Sequence, residues 1–340
     1  IGLIVVFAVT TFLSDKTVRG FGTALFVVPW GMTAFAIGAA LFRNAYRTRT
    51  MVALLGACLG FGYWTLIRTD EILGDFTTVH RWRWEPSSED KFLASLASRQ
   101  ETASSDTSDA LGALSESQWP AFRGAERRSE VPGVVLIEDW EAEPPKELWR
   151  IPVGPGWSSF SVAGDRIFTQ EQRGDEEVTV CYNATDGSQV WVHSDESRFW
   201  EVVGGAGPRG TPTIANGALY TLGANGLLSR LDPVSGELAW QVDIREDADR
   251  EPPMWGFSSS PLVTHGLVIV HAGGVDEKGL LAYDETSGEL RWGAPAGDHS
   301  YSSAQLSTVD GRECVLMLSN KGLVFIDPEN GDFRFKPGSP

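Results

Sequence analysis

Two different spacings of apolar and polar positions divide this chain. In the first 68 residues the apolar runs are long: 22–42 holds 21 residues without a charge and 51–67 holds 17. Each is enough for a helix to cross a hydrocarbon layer of about 30 Å. Residues 1–13 form a third apolar run. From residue 119 onward the runs are short, alternate in polarity and are cut by Gly, Asn, Asp and Pro, which predicts strands and tight turns and gives no helical period. The clearest stretch predicts strands at 211–215, 218–223, 227–232 and 237–242, with Asn216-Gly217 supplying the positive φ angles of a two-residue hairpin.

A phrase recurs at the end of each group of four strands: YNATDGSQVW at 182–191, LDPVSGELAW at 231–240, YDETSGELRW at 283–292 and IDPENGDFRF at 326–335. Aligned on Asn183, Asp232, Asp284 and Asp327, the copies are 49, 52 and 43 residues apart, the length of one four-stranded propeller blade. The chemistry of the phrase reads as structural. The carboxylates of Asp232 and Asp284 accept hydrogen bonds from turn amides, Gly236 and Gly288 take the left-handed position, and Trp191, Trp240 and Trp292 bury large rings between neighbouring blades. Trp149, in ELWRIPVG, reads as the same element from an earlier or closing blade.

These repeats resemble the tryptophan-docking repeats of the pyrroloquinoline-quinone (PQQ)-like β-propellers, over about residues 119–340. The resemblance implies an all-β propeller of four-stranded antiparallel blades. It covers both quinoprotein alcohol dehydrogenases and a non-catalytic outer-membrane assembly lipoprotein, so the fold alone does not choose a function. About four blades fit, where the family closes with seven or eight. With Ile1 inside an apolar run, the expectation is a fragment of a longer protein, and a closed four-bladed ring is the alternative.

Residues 1–68 carry six Lys or Arg against one acid, whereas the remainder nets −22, which argues against nucleic acid as a partner. Arg43, Arg47 and Arg49 lie between the two long apolar runs and place that loop in the cytoplasm by the positive-inside rule. The expected arrangement is therefore a multi-pass inner-membrane anchor at 1–68, a juxtamembrane segment and flexible linker at 69–118, and a propeller at 119–340 on the periplasmic side. Within the connector, 88–98 predicts a short amphipathic helix. His80-Arg81-Trp82-Arg83-Trp84 reads either as an interfacial anchor or as a docking strand. Cys58, Cys181 and Cys314 sit in separate elements and suggest no disulfide.

In a propeller, the segments entering the innermost strands face the central channel. Here they bring Trp157, Arg209, Trp255, His299 and Tyr301 to one mouth, with Glu201 close by. Aromatic faces suit a planar quinone and Arg209 suits its carboxylates; the structural alternative is that these residues plug the channel. The resemblance implies that a dehydrogenase would hold PQQ with a calcium ion bound by Glu, Asn and Asp, use an Asp base and carry a vicinal Cys pair. No metal-ligand motif or Cys-Cys pair matches here, so the favoured reading is a binding or scaffolding module for periplasmic or membrane proteins or a small ligand. A PQQ-dependent dehydrogenase is the alternative.

Overall fold

The structure is a computed structural model describing residues 1–335 apart from 21, 42–45, 73–74, 76, 101–116 and 132. Arg43 and most of the expected flexible linker lie outside the described residues. The chain forms two compact units, Ile1–Lys91 with Glu201–Gly205, and Phe92–Trp200 with Ala206–Pro340.

The first unit contains α1 (Gly2–Leu13), α2 (Val28–Leu41, preceded by a wider helical turn at Thr23–Val27) and α3 (Tyr46–Tyr63). Among the described residues, one helix, Thr23–Leu41, is long and apolar enough to cross a membrane. The helix over the expected 51–67 span is shifted toward the N-terminus, running from Tyr46 to Tyr63. The α3 helix stops at Tyr63, where Trp64, Thr65 and Leu66 amides turn back to the Phe61, Gly62 and Tyr63 carbonyls, and Ile67 already opens a strand. Small residues let α2 and α3 approach closely: a Cβ on Gly38 would come within 2.6 Å of the Val52 carbonyl oxygen, and one on Gly56 within 2.5 Å of the Ala34 carbonyl oxygen. A hairpin of β1 (Ile67–Ile72) and β2 (Thr78–Trp82) follows, its buried Asp70 bridging Arg68 at 2.5 Å and Arg81 at 3.0 Å. The helix expected at 88–98 is α4 (Ser88–Gln100). Ser87 and Asp90 cap its start reciprocally, each side chain accepting from the other residue's amide at 2.9 and 2.7 Å.

The second unit is built from four sheets of four antiparallel strands, each meandering outward from its first strand. They are β3–β6 (Ser161–Ala163, Arg166–Arg173, Glu176–Asn183, Gln189–Asp195), β9–β12 (Thr213–Ala215, Ala218–Leu222, Leu227–Leu231, Leu238–Asp243), β13–β16 (Leu262–Thr264, Leu267–His271, Leu280–Asp284, Leu290–Ala294) and β17–β20 (Gln305–Val309, Arg312–Ser319, Gly322–Ile326, Phe333–Phe335). A two-residue pair, β7 (Trp200–Glu201) with β8 (Gly205–Ala206), interrupts the first connection, and α5 (Ile244–Ala248) the second. The first strands lie beside one another in sequence order, so the sheets converge along their inner edges as propeller blades do.

What joins one blade to the next is an indole over a glycine. A Cβ on Gly236 would come within 2.5 Å of the Trp191 ring, on Gly288 within 2.9 Å of Trp240, on Gly331 within 2.8 Å of Trp292 and on Gly187 within 2.7 Å of Trp149. In every case the tryptophan precedes the blade whose turn it covers. Each turn glycine is left-handed, with φ between +72° and +81°. Only glycine meets both demands, because a side chain there would be strained and would collide. The turn is held open for the ring by its acid: Asp232 Oδ1 accepts from the Val234 and Ser235 amides at 2.8 Å, and Asp284 Oδ1 from Thr286 and Ser287 at 3.0 and 2.9 Å. Three indoles donate to the same place in the turn, Trp149 to Ala184, Trp191 to Pro233 and Trp240 to Glu285 carbonyls at 2.8, 3.1 and 3.1 Å. Trp149 lies in the fourth-strand register, yet residues 147–152 pair with no strand among the described residues.

A polar tie supplements this packing between the first two blades. Glu177 at the start of β5 is buried, and its carboxylate accepts from the Ala224 amide of the next blade at 3.2 Å. Asp195, directly across the ladder, accepts from Gln241 Nε2 of that blade at 2.7 Å. Burial pushes the Glu177 carboxyl up to about 7; Asp195 adds to the rise, while the Ala224 amide and Arg209 oppose it.

Two outcomes follow from these contacts. Gly217 and Gly236 have nearly the same positive φ, but nothing lies near Gly217. In thermal or urea unfolding, Gly217→Ala is expected to cost about 1 kcal/mol from backbone strain alone and Gly236→Ala about 2 kcal/mol more from displacing the Trp191 ring. Because Glu177 holds its proton more tightly folded than unfolded, its contribution is full below about pH 4.5 and is lost as pH rises through 7. Glu177→Gln should therefore leave stability near pH 4.5 little changed and raise it by about 3 kcal/mol at pH 8, relative to the parent chain.

Candidate functional site

Short connections rich in Gly and Ser lead into each first strand and bring several of the foreseen side chains together on one face of the second unit. The Trp255 ring lies 5.2 Å from that of Tyr301 at 30°, and His299 meets Tyr301 edge-on at 5.0 Å. The Trp255 amide donates to the Tyr301 hydroxyl at 3.4 Å. Arg209 adjoins this group, donating from Nε to the Trp255 carbonyl at 3.2 Å and from Nη1 to the Gly207 carbonyl at 2.8 Å. Its guanidinium also lies over the Phe199 ring, 4.9 Å from the centroid. Arg209 is thus engaged in holding the mouth's own backbone. Trp157 joins through the main chain, its amide donating to the Pro208 carbonyl at 2.8 Å, and its ring is 66% exposed. Trp255 is 44% exposed. Glu201 falls in the 201–205 segment of the first unit, where its carboxylate accepts from the Val203 and Gly204 amides.

The His299–Tyr301 segment rests on a buried support. His271, on β14, donates from Nε2 to the Gly297 carbonyl at 3.2 Å, and burial pushes its pKa down to about 4, so it is a neutral imidazole across the physiological range. On the other side the Asn320 amide donates to the His299 carbonyl at 2.9 Å, and the His299 amide to Asn320 Oδ1 at 3.2 Å. The main chain leading into the His299–Tyr301 pair is therefore held at Gly297 and at His299.

The residues that organise the inner edge were missed by sequence reasoning. Residues 117–130 run along the first strands of all four blades. Trp119 pairs with Val162 of β3, the Ile214 amide of β9 donates to the Pro120 carbonyl at 2.7 Å, and Gln305 of β17 donates to the Glu126 carbonyl at 3.3 Å. At the end of this run Arg127 is 5% exposed and donates to the carbonyls of Ser260 at 3.1 Å, Ala304 at 2.7 Å and Pro261. A guanidinium has no acceptor of its own and five donors in a fixed fork, so a ring of strand-entry carbonyls suits it. Burial without a carboxylate partner lowers its pKa to about 10, which leaves it charged. The one available signal was Arg127 itself, an arginine in a Gly- and Ala-containing run just after Trp119-Pro120.

Among the described residues, no three His, Cys, Asp or Glu side chains converge in a way that would hold a metal ion. The three cysteines are free, and burial pushes the Cys181 thiol up to about 12, which makes it unreactive. The described residues thus do not fit the calcium cradle and paired cysteines that the family resemblance implies for a quinone-dependent reaction, and no catalytic step is built on them.

Comparison with known proteins agrees with the repeat pattern. The family model described as outer membrane protein assembly factor BamB matches residues 175–336. A quinohemoprotein alcohol dehydrogenase, ADH-IIG of Pseudomonas putida, is 31% identical over 121 residues, covering 34% of this chain and 16% of its own. The outer membrane protein assembly factor BamB of Yersinia pestis is 23% identical over 157 residues, covering 44% and 36%. The solved structure of ADHIIG from P. putida HK5 matches at 17% identity with a TM-score of 0.41, over 55% of this chain and 35% of that one. The chain thus spans well under half the length of the curated relatives it matches. In the family match, the sequence relatives and the four antiparallel sheets, the repeats of this chain are similar to those of PQQ-like β-propellers.

Proposed function

We propose that this chain is a membrane-anchored propeller whose inner-edge mouth is a binding surface for proteins or a small ligand, acting as a scaffold. The observation that carries this reading is the chemistry of the mouth. Its Trp157 and Trp255 are exposed, its arginine is tied to main-chain carbonyls, and among the described residues no three His, Cys, Asp or Glu side chains are grouped to hold a metal ion. Exposed Trp beside a half-buried Tyr on a fixed support suits recognition, since such rings contribute large contact area at little cost in conformational entropy. The family name BamB, an assembly factor, points the same way.

The anchor is the multi-pass helical unit in the inner membrane, with the propeller on the periplasmic side. Support comes from the apolar Thr23–Leu41 helix, the close glycine seam between α2 and α3, and Arg47 and Arg49 at the start of α3. The partners are the lipid bilayer and periplasmic or membrane proteins. Nucleic acid is disfavoured by the strongly acidic outer portion. A PQQ-dependent dehydrogenase remains the second reading, favoured by the likeness to ADH-IIG over 121 residues.

Two measurements separate the readings. Added PQQ with calcium is expected to leave the absorbance and melting temperature of the purified chain unchanged, and a saturable shift reversed by a chelator would favour the dehydrogenase. A photo-crosslinking amino acid at Trp157 or Trp255 is expected to give discrete protein adducts in intact cells. The same group at Glu289, on an outer turn, should give none; equal labelling at both places would remove the mouth as the binding surface.

A further inference from the structure

The first unit carries an aromatic ladder that the anchor reading does not absorb. It begins at Trp30 of α2, whose ring stacks with that of Tyr63 at the end of α3, 6.2 Å between centroids at 22°. Tyr63 meets Trp82 of β2 edge-on at 6.2 Å, and Trp82 stacks on Trp84 at 5.0 Å and 9°. A second, inner tier fixes the hairpin to the helices, with His80 edge-on to both Trp64 and Phe26 at 5.2 and 5.3 Å. The inner tier is buried at Trp64, while the outer ladder is open, with Trp30 60% and Trp84 66% exposed. The helices of this unit also expose apolar side chains, among them Phe12, Leu25, Leu55 and Leu59.

We propose that the β1–β2 hairpin is seated in the headgroup layer of the bilayer by the Trp30–Tyr63–Trp82–Trp84 ladder. This rests on the anchor reading above and adds the level at which the anchor meets the membrane surface. Indole and phenol rings combine an apolar body with a polar edge, and they collect where hydrocarbon gives way to headgroups. An open row of such rings, on a unit whose helices also expose apolar side chains, marks that boundary on the molecule. The hairpin's charges do not provide the grip. Arg68 and Arg81 are paired with Asp70, and Arg83 is bound to the Leu13 and Thr65 carbonyls at 2.9 Å and lies 3.6 Å from Asp15. With each of these arginines engaged by Asp70, Asp15 or main-chain carbonyls, the contact is aromatic and indifferent to lipid charge.

The test uses the full chain in phosphatidylcholine vesicles containing lipid brominated either near the headgroup or near the chain end, with and without phosphatidylglycerol. The parent chain and the W82F/W84F variant are compared, phenylalanine keeping ring packing so that the fold survives. The expected result is that the emission lost in the variant belongs to a component quenched more strongly by the shallow bromines than by the deep ones, equally with and without the anionic lipid. A difference signal that neither bromine position quenches overturns the proposal, as does one that appears only with phosphatidylglycerol. Alkaline carbonate washing separates this from the anchor itself: a chain that stays with the vesicles while Trp82 and Trp84 go unquenched defeats the hairpin alone, and a chain that washes off defeats both.

Discussion

The propeller portion depends on one contact repeated four times, an indole lying on the left-handed glycine of the following blade's outer turn, and in three of the four the indole comes from the preceding blade. Sheets in a propeller share no backbone ladder with one another, so hydrogen bonding within blades cannot hold the blades together. Side-chain burial between them must. An indole removes on the order of 150–250 Å² from water, worth roughly 4–6 kcal/mol by area, and its Nε1 hydrogen bond fixes the angle at which it lies. Because each ring reaches forward to the following blade, order along the chain becomes order around the propeller. The same contact explains why the acid and the glycine recur together: the Asp closes the turn by accepting its amides, and the glycine leaves a flat surface for the ring.

The inner edge uses a different device. There the first strands of successive blades approach closely and leave carbonyls directed at a narrow axis, where apolar packing would strand them without donors. Arg127 answers this by donating to carbonyls of two blades at once, while Trp119 and Pro120 engage the other two. The mouth is built on these same strand-entry segments. Its aromatic residues are therefore held by elements under constraint from both the indole contacts outside and the arginine inside, which is the kind of rigid platform that recognition requires.

Much of this architecture was readable from the sequence, for identifiable reasons. A strand period, Asn-Gly and Asp-x-x-Ser-Gly turns and a tryptophan at constant offset are local signals, and the strands fall within two residues of their expected bounds in the second blade. The clustering of Trp255, His299, Tyr301 and Arg209 also followed from register. Long-range electrostatics did not. Arg127 sits among residues that look solvent-exposed, and Glu177 opens a strand next to another glutamate; their burial is decided by partners at Ser260, Ala304 and Ala224 far along the chain. Strand β1 was missed because IRTDEI lacks an apolar face, its stability coming from the Arg68–Asp70–Arg81 bridge and its pairing with β2. Hydropathy likewise extended the 51–67 segment beyond Tyr63, since Trp64, Leu66 and Ile67 remain apolar after the helix has ended.

The central claim is that the rings and the glycines act as pairs, and a double-mutant cycle on Trp240 and Gly288 addresses it directly. With Trp240 replaced by Ala, Gly288→Ala should cost only its backbone strain, giving a coupling of about 1–2 kcal/mol between the two sites in equilibrium unfolding. Penalties that add to within about 0.3 kcal/mol would contradict it, because the glycine would then be required by its turn alone and the blades would have to be joined by something else.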